Sequence, residues 1–298
     1  MGLDFEDPFD EPDTALARDR WDRPLIMAPD GGEWPWPPGP NGERKDGLRP
    51  YTRTSVLAGE LDNGVGLAIW TRRHVALAVA RAAEATRALL QSCYYGDKQL
   101  DEYIERALEQ AKRDEHPAIG DKEVKGPDRA DWGTAVHRFT EPDSPPMAPE
   151  KIRADVEAIN ALYERTGWEV VATEQFVVND PLTSAGTFDH LLRHRQTGQV
   201  RLADKKTGDL HPMSMALQLA VYSSGSKYDV ATGRRSSFMD GIDGDFDPNV
   251  GFIVHAPFGQ GKAELVEVDL VQGRIIARLA QTVREYKKSE ASLMKLVP

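Results

Sequence analysis

The sequence predicts an α/β fold with a helical N-terminal region, and three observations predict it. Up to about residue 165, apolar residues recur mainly at three- and four-residue spacing; beyond it, Val-rich stretches broken by turn signals take over. From there the two textures interleave, so the initial helices lead into the order α-β-β-β-α-β-β-α. The chain has 298 residues, 40% hydrophobic and 29% charged, enough to bury a sizeable core in one or two domains.

Residues 1–50 form a leader of their own. Nine of the 20 prolines and three of the six tryptophans fall there, densest in Trp34-Pro35-Trp36-Pro37-Pro38-Gly39-Pro40. Such a stretch makes neither a regular helix nor a central strand, so an extended or disordered arm is expected. The alternative is an arm whose tryptophans dock on the body or on a partner chain. Residues 51–125 read as helical: Leu67, Trp70, His74, Ala78 and Ala82 mark a helix to about Leu90, and a second runs from Leu100 to about Arg113.

The core is expected over 126–298. It opens with a helix over Asp128–Thr140 after Gly126-Pro127, and another over Pro149–Arg165 stopped by Gly167. Strands follow over Trp168–Val178, Thr187–His194 and Gln199–Lys205, the last two flanking the turn signal Gln196-Thr197-Gly198. Pro212 opens a helix to about Ser223, residues 229–248 read as a surface loop, and strands over Asn249–His255 and Ala263–Val268 precede a closing helix from Leu270 to about Glu290. There is no internal repeat.

Composition excludes several classes. No run of about 18 apolar residues exists, so no transmembrane helix is expected. The acidic opening Met1-Gly2-Leu3-Asp4-Phe5-Glu6-Asp7 is unlike a secretory signal. A single cysteine, Cys93, rules out an internal disulfide and any zinc or iron–sulfur site built from cysteines. A cytoplasmic protein is expected. The net charge of −11, about half of it in the leader, argues against a non-specific nucleic-acid coat. It leaves room for an enzyme that grips phosphates locally.

The chemistry concentrates in Gly186-Thr187-Phe188-Asp189 and, fifteen residues after Asp189, Asp204-Lys205-Lys206-Thr207-Gly208. On a strand Asp204 and Lys206 share a face and Lys205 points to the other. A hairpin centred between Gln196 and Thr197 sets Asp189 across from Asp204, ~5 Å apart at Cα. A bulge at Gly198 would set Lys205 there instead. Two facing carboxylates repel, and a divalent cation removes the conflict. Hard oxygen ligands beside a lysine suit Mg²⁺ or Mn²⁺, which can bind a scissile phosphate, activate water and stabilise developing charge. The bland alternative is a solvated surface hairpin. Gly133-Thr134-Ala135-Val136-His137 places an imidazole one helical turn after a glycine, either structural or metal-ligating. Gln218 and Tyr222 share a helix face at i, i+4, as an exposed polar pair or as groups that contact substrate or brace Lys206. Glu174 sits among apolar neighbours and needs a partner if buried.

Together, G-x-x-x-H, E, G-T-x-D, D-x-K-T-G and Q-x-x-x-Y, in this order over about residues 130–225, resemble the PD-(D/E)XK nuclease superfamily, in particular its RecB-like and phage exonuclease branch. The resemblance implies a restriction-endonuclease-like core, a central mixed β-sheet flanked by helices. It implies His137, Asp189 and Asp204 as metal ligands joined by the Lys205 carbonyl, Asp189, Asp204 and Lys206 as the catalytic set, and Gln218, Tyr222 and Glu174 as substrate-binding or auxiliary residues. The implied activity is Mg²⁺-dependent hydrolysis of DNA phosphodiester bonds by an exonuclease of recombination, replication or repair. An endonuclease or junction resolvase with the same site, or a non-catalytic nucleic-acid-binding module, is the alternative. DNA is the implied partner, with a recombinase, a single-strand-binding protein or further copies of the chain as others, and host cytoplasm the place if phage-encoded. Asp204 stands where many relatives have Glu. The four cysteines that hold an iron–sulfur cluster in several relatives are absent.

Overall fold

The computed structural model describes residues 16–61, 129–141, 143–145 and 147–289, together with positions 75, 98 and 100–103. The chain divides into two compact units, residues 1–61 with 135–298 and residues 62–134. The division therefore falls at 61/62 and 134/135, and residues 16–50 belong with the sheet. The helices expected over 67–90 and 100–113 lie outside the described residues, apart from the helical positions 75, 98 and 100–103.

In chain order the strands are β1 (Leu25–Ile26), β2 (Arg49–Pro50), β3 (Thr52–Arg53), β4 (Trp168–Asn179), β5 (Ser184–His194), β6 (Gln199–Lys206), β7 (Ser226–Tyr228), β8 (Arg235–Ser236), β9 (Asp245–His255) and β10 (Glu264–Asp269). The helices are α1 (Thr54–Ala58), α2 (Arg129–Phe139), α3 (Glu150–Thr166), α4 (Pro212–Ser223) and α5 (Leu270–Ser289). From α2 onward the expected elements appear in order, with two differences, the first being β7, which falls outside every expected element. Residues 229–248, expected as a loop, contain β8 and the first residues of β9.

One mixed sheet runs β10-β9-β6-β5-β4-β7-β8, with β3 alongside β5. β6 with β9 and β3 with β5 are parallel. The hairpins β4–β5, β5–β6 and β9–β10 are antiparallel. Parallel strands need a crossover, and α4 lies within the one that joins β6 to β9. It lays Met215, Leu219 and Tyr222 on Phe188, Leu191, Leu202 and Ile253 in the main core. A second layer packs Leu217 and Val221 of α4 against Ala277 and Ala280 of α5. α3 ends at Gly167, whose φ of +73° is a left-handed cap that glycine adopts without strain. Among the described residues no helix is long and apolar enough to cross a membrane.

The leader departs from expectation over its described part, residues 16–50. Proline forbids long regular elements, yet single apolar side chains can still be buried. Leu16 and Ile26 join Tyr51, Val178, Ala185 and Tyr228 in a cluster of their own, with Trp34 packed against it. Polar ties fasten it: the Tyr51 hydroxyl donates to Asp180 at 2.6 Å, and Arg235 donates to both Asp180 and the Met27 carbonyl. These residues are therefore a folded part of the body, docked much as the alternative reading of the arm has it. Ile26 is fully buried, so Ile26→Ala should cost about 2–5 kcal/mol, read as a lowered urea midpoint; an unchanged midpoint would mean this cluster adds nothing to stability.

Candidate functional site

The β5–β6 hairpin sets the site. His190 pairs with Ala203 and Leu192 with Arg201, so the hairpin is centred between Gln196 and Thr197. Gly198, at φ +70°, closes the turn without shifting the register. One step past the last paired residues, Asp189 and Asp204 come across from each other, and there the ladder opens. Asp189 Oδ2 accepts the Lys205 backbone N–H at 2.7 Å. Two irregularities accompany the opening. Glu174, which the β4–β5 register sets beside Asp189, has a φ of +46°. Phe188 and Leu191, three residues apart, both enter the main core, so β5 breaks strict alternation at Asp189–His190.

Lys206 pairs with the Asp204 carboxylate, as alternation along β6 requires. The His137 Nδ1 lies 3.5 Å from Asp189 Oδ2. Burial and the Lys205 ammonium hold that imidazole down at about 4, so it is neutral near pH 7 and its contact with Asp189 is not an ion pair. Burial, then the charge of Asp189, pushes Asp204 up to about 6, with Lys206 opposing. Burial pushes Asp189 up as well, against the Lys205 N–H and both lysine charges. This is the electrostatic signature of carboxylates held close in a water-poor place, at a cost in stability that functional sites accept.

Gln218 and Tyr222 pair with each other, Tyr222 buried and Gln218 half-buried, rather than standing exposed. The Gln218 amide donates to the Tyr222 hydroxyl at 3.2 Å, and Tyr222 stacks obliquely near Phe188. Gly186 makes this possible. A Cβ there would lie 2.9 Å from the Tyr222 hydroxyl and 3.2 Å from Thr54 Oγ1. Gly186→Ala should therefore push Tyr222 off Gln218 and cost about 1–3 kcal/mol. Thermal melting checks this, and an unchanged midpoint would mean that the aromatic ring moves freely. Glu174 is the residue that would need a partner if buried. It is exposed, not buried among apolar groups. Partial burial of its carboxyl and the charges of Asp189 and Glu141 push it upward, a push that solvent partly screens.

Three further groups join the site that the motifs do not mark. Lys205 was expected only to offer a carbonyl. Its side chain is 1% exposed, and Nζ donates to the His137 carbonyl at 2.7 Å and to Thr140 Oγ1 at 2.9 Å. Burial lowers this ammonium to about 8, while Asp189 and Glu141 oppose the shift. Glu141, four residues after His137, feels the charges of both Lys205 and Asp189; an H-x-x-x-E spacing was the signal that could have found it. His190 is buried, with Nδ1 3.2 Å from the Tyr163 hydroxyl and Nε2 without a partner. A histidine inside an apolar strand gives no sign of that in sequence.

The donor set suits a hard divalent cation. Two carboxylates and a neutral imidazole stand together, with the Lys206 ammonium against buried Asp204 Oδ2. Among the described residues no three His, Cys, Asp or Glu side chains close into a ligand set. Protein donors instead draw Asp189 towards Lys205 and Asp204 towards Lys206. Comparison of the chain with protein-family models and with curated proteins finds no match.

Proposed function

We propose that the chain is a Mg²⁺- or Mn²⁺-dependent deoxyribonuclease with a restriction-endonuclease-like core, and that it acts as an exonuclease. One observation carries the reading: Asp189 and Asp204 face each other at the open end of a hairpin, with His137 against one and Lys206 against the other. Asp189, Asp204, His137 and the Lys205 carbonyl would hold the cation, which supplies charge neutralisation at the scissile phosphate and a lowered water pKa. Lys206 is placed to steady the attacking water, take up its proton or offset negative charge on the phosphate. Neutral His137 would be a ligand that adds no positive charge. The Gln218–Tyr222 pair packs against Gly186 and Phe188, just before Asp189 on β5.

Digestion of linear and of covalently closed circular duplex DNA, with Mg²⁺ and with EDTA, tests this. Loss of linear DNA alone, abolished by EDTA, is the expected result. Cleavage of both substrates would make the protein an endonuclease. DNA binding without cleavage would leave a binding module of the same fold, and the catalytic reading would fall.

A further inference from the structure

We infer that Lys205 is a positioning residue that sets the spacing of the two halves of the candidate cation site, gripping Asp189 with its backbone and the His137 helix with its side chain. The inference rests on the cation-site reading above and deepens it.

Three observations carry it. First, the same residue bonds to both halves. Its N–H donates to Asp189 Oδ2 at 2.7 Å, and its Nζ donates to the His137 carbonyl at 2.7 Å. Second, the grip on the helix is doubled. Nζ also donates to Thr140 Oγ1 at 2.9 Å, and that hydroxyl lies 2.9 Å from the carbonyls of both Val136 and His137. The last turn of α2 exposes carbonyls with no partner inside the helix, and a cation is favoured there. Third, the position is one where the fold alone calls for an apolar residue. Lys205 pairs across β6–β9 with fully buried Val254 and follows fully buried Ala203. A buried ammonium is costly, and its known compensation is specificity of arrangement.

The geometry assigns a consequence that simple electrostatics does not. Removing a positive charge beside a cation site should tighten cation binding. Removing a positioning residue should weaken it, by about 10-fold or more when it orients a ligand. The sign separates the two.

The test uses the full chain and Mn²⁺ as probe. Calorimetry should show Lys205→Met binding Mn²⁺ about 10-fold more weakly than wild type, with Lys205→Arg recovering most of the loss. Adding Lys205→Met to His137→Ala should bring little further loss, since the residue acts through that imidazole. In the cation-free protein, the His137 ring resonances should shift in Thr140→Val, which keeps every charge and removes the hydroxyl link. This last variant also decides the matter if Lys205→Met does not fold, whereas a wild type that takes up no Mn²⁺ would overturn the inference together with the cation-site reading. Unchanged or tighter binding by a folded Lys205→Met, additive losses in the double variant, or unmoved His137 resonances in Thr140→Val would overturn the inference. A wild type that binds Mn²⁺ but leaves DNA intact would overturn the nuclease reading and leave this one standing.

Discussion

Asp204→Asn should abolish Mg²⁺-dependent cleavage, by about 10³-fold or more, while making the cation-free protein more stable at neutral pH. The carboxylate is almost fully buried and is pushed up to about 6, first by burial and then by the charge of Asp189. The folded state therefore holds this proton more tightly than the unfolded chain does. Its contribution is most favourable below the ordinary carboxylate range and is lost as pH rises through about 6. An uncharged amide escapes that loss, a gain on the order of 1–3 kcal/mol above pH 7. Differential scanning calorimetry at pH 5 and pH 8 checks it: the variant's advantage should appear at pH 8 and shrink at pH 5. Added Mg²⁺ should raise the melting point of wild type at pH 8 and leave the variant where it was. Cleavage by Asp204→Asn at the wild-type rate would remove this residue from the site.

Lys206→Ala should cut turnover by about 10²-fold or more at saturating Mg²⁺, with the cation still bound. Both carboxylates remain, so Mn²⁺ affinity measured by calorimetry should change little at pH 8. Below that, Asp204 loses the ammonium that opposes its upward shift. Its proton then competes harder, and the acid limb of cation binding should move to higher pH. A turnover loss that saturating cation restores would make Lys206 a mere counter-ion for Asp204. Full activity in Lys206→Ala would end its catalytic assignment.

The fold from residue 129 onward was legible because local signals and tertiary demands agree there. Gly167 stops α3, Pro212 opens α4, and the Gln196-Thr197-Gly198 turn sets a hairpin register that carries Asp189 to Asp204. Period-two reasoning then put Lys206 with Asp204 correctly. The same reasoning stopped at what it measures. It could say that Lys205 faces away from Asp204, but not that the other side holds the end of α2. It left the burial of Glu174 open, because nothing in a Val-rich run announces a positive φ. The leader misled through composition: proline density reports the lack of regular backbone, whereas burial of Ile26 and Tyr51 depends on a partner surface more than a hundred residues away.

That distance has a kinetic consequence. β3 joins the sheet beside β5, pairing Thr52 with Ser184 and Arg53 with Ala185. The Met27 N–H meets the Tyr228 hydroxyl across 201 positions of sequence, and the Met27 carbonyl meets Arg235 across 208. Closing loops of that length costs entropy before any contact repays it, and folding slows accordingly. Residues 16–53 are thus among the last to find their seat, since their partners are made more than a hundred residues after them. Until then Ile26 and Tyr51 are uncovered, and so, once made, are the strand ends they will cap. The nascent chain passes through a stage in which this apolar segment and the unpaired end of β5 are both available to other molecules. Chaperone dependence and aggregation on rapid overexpression should accordingly follow the fate of residues 16–53.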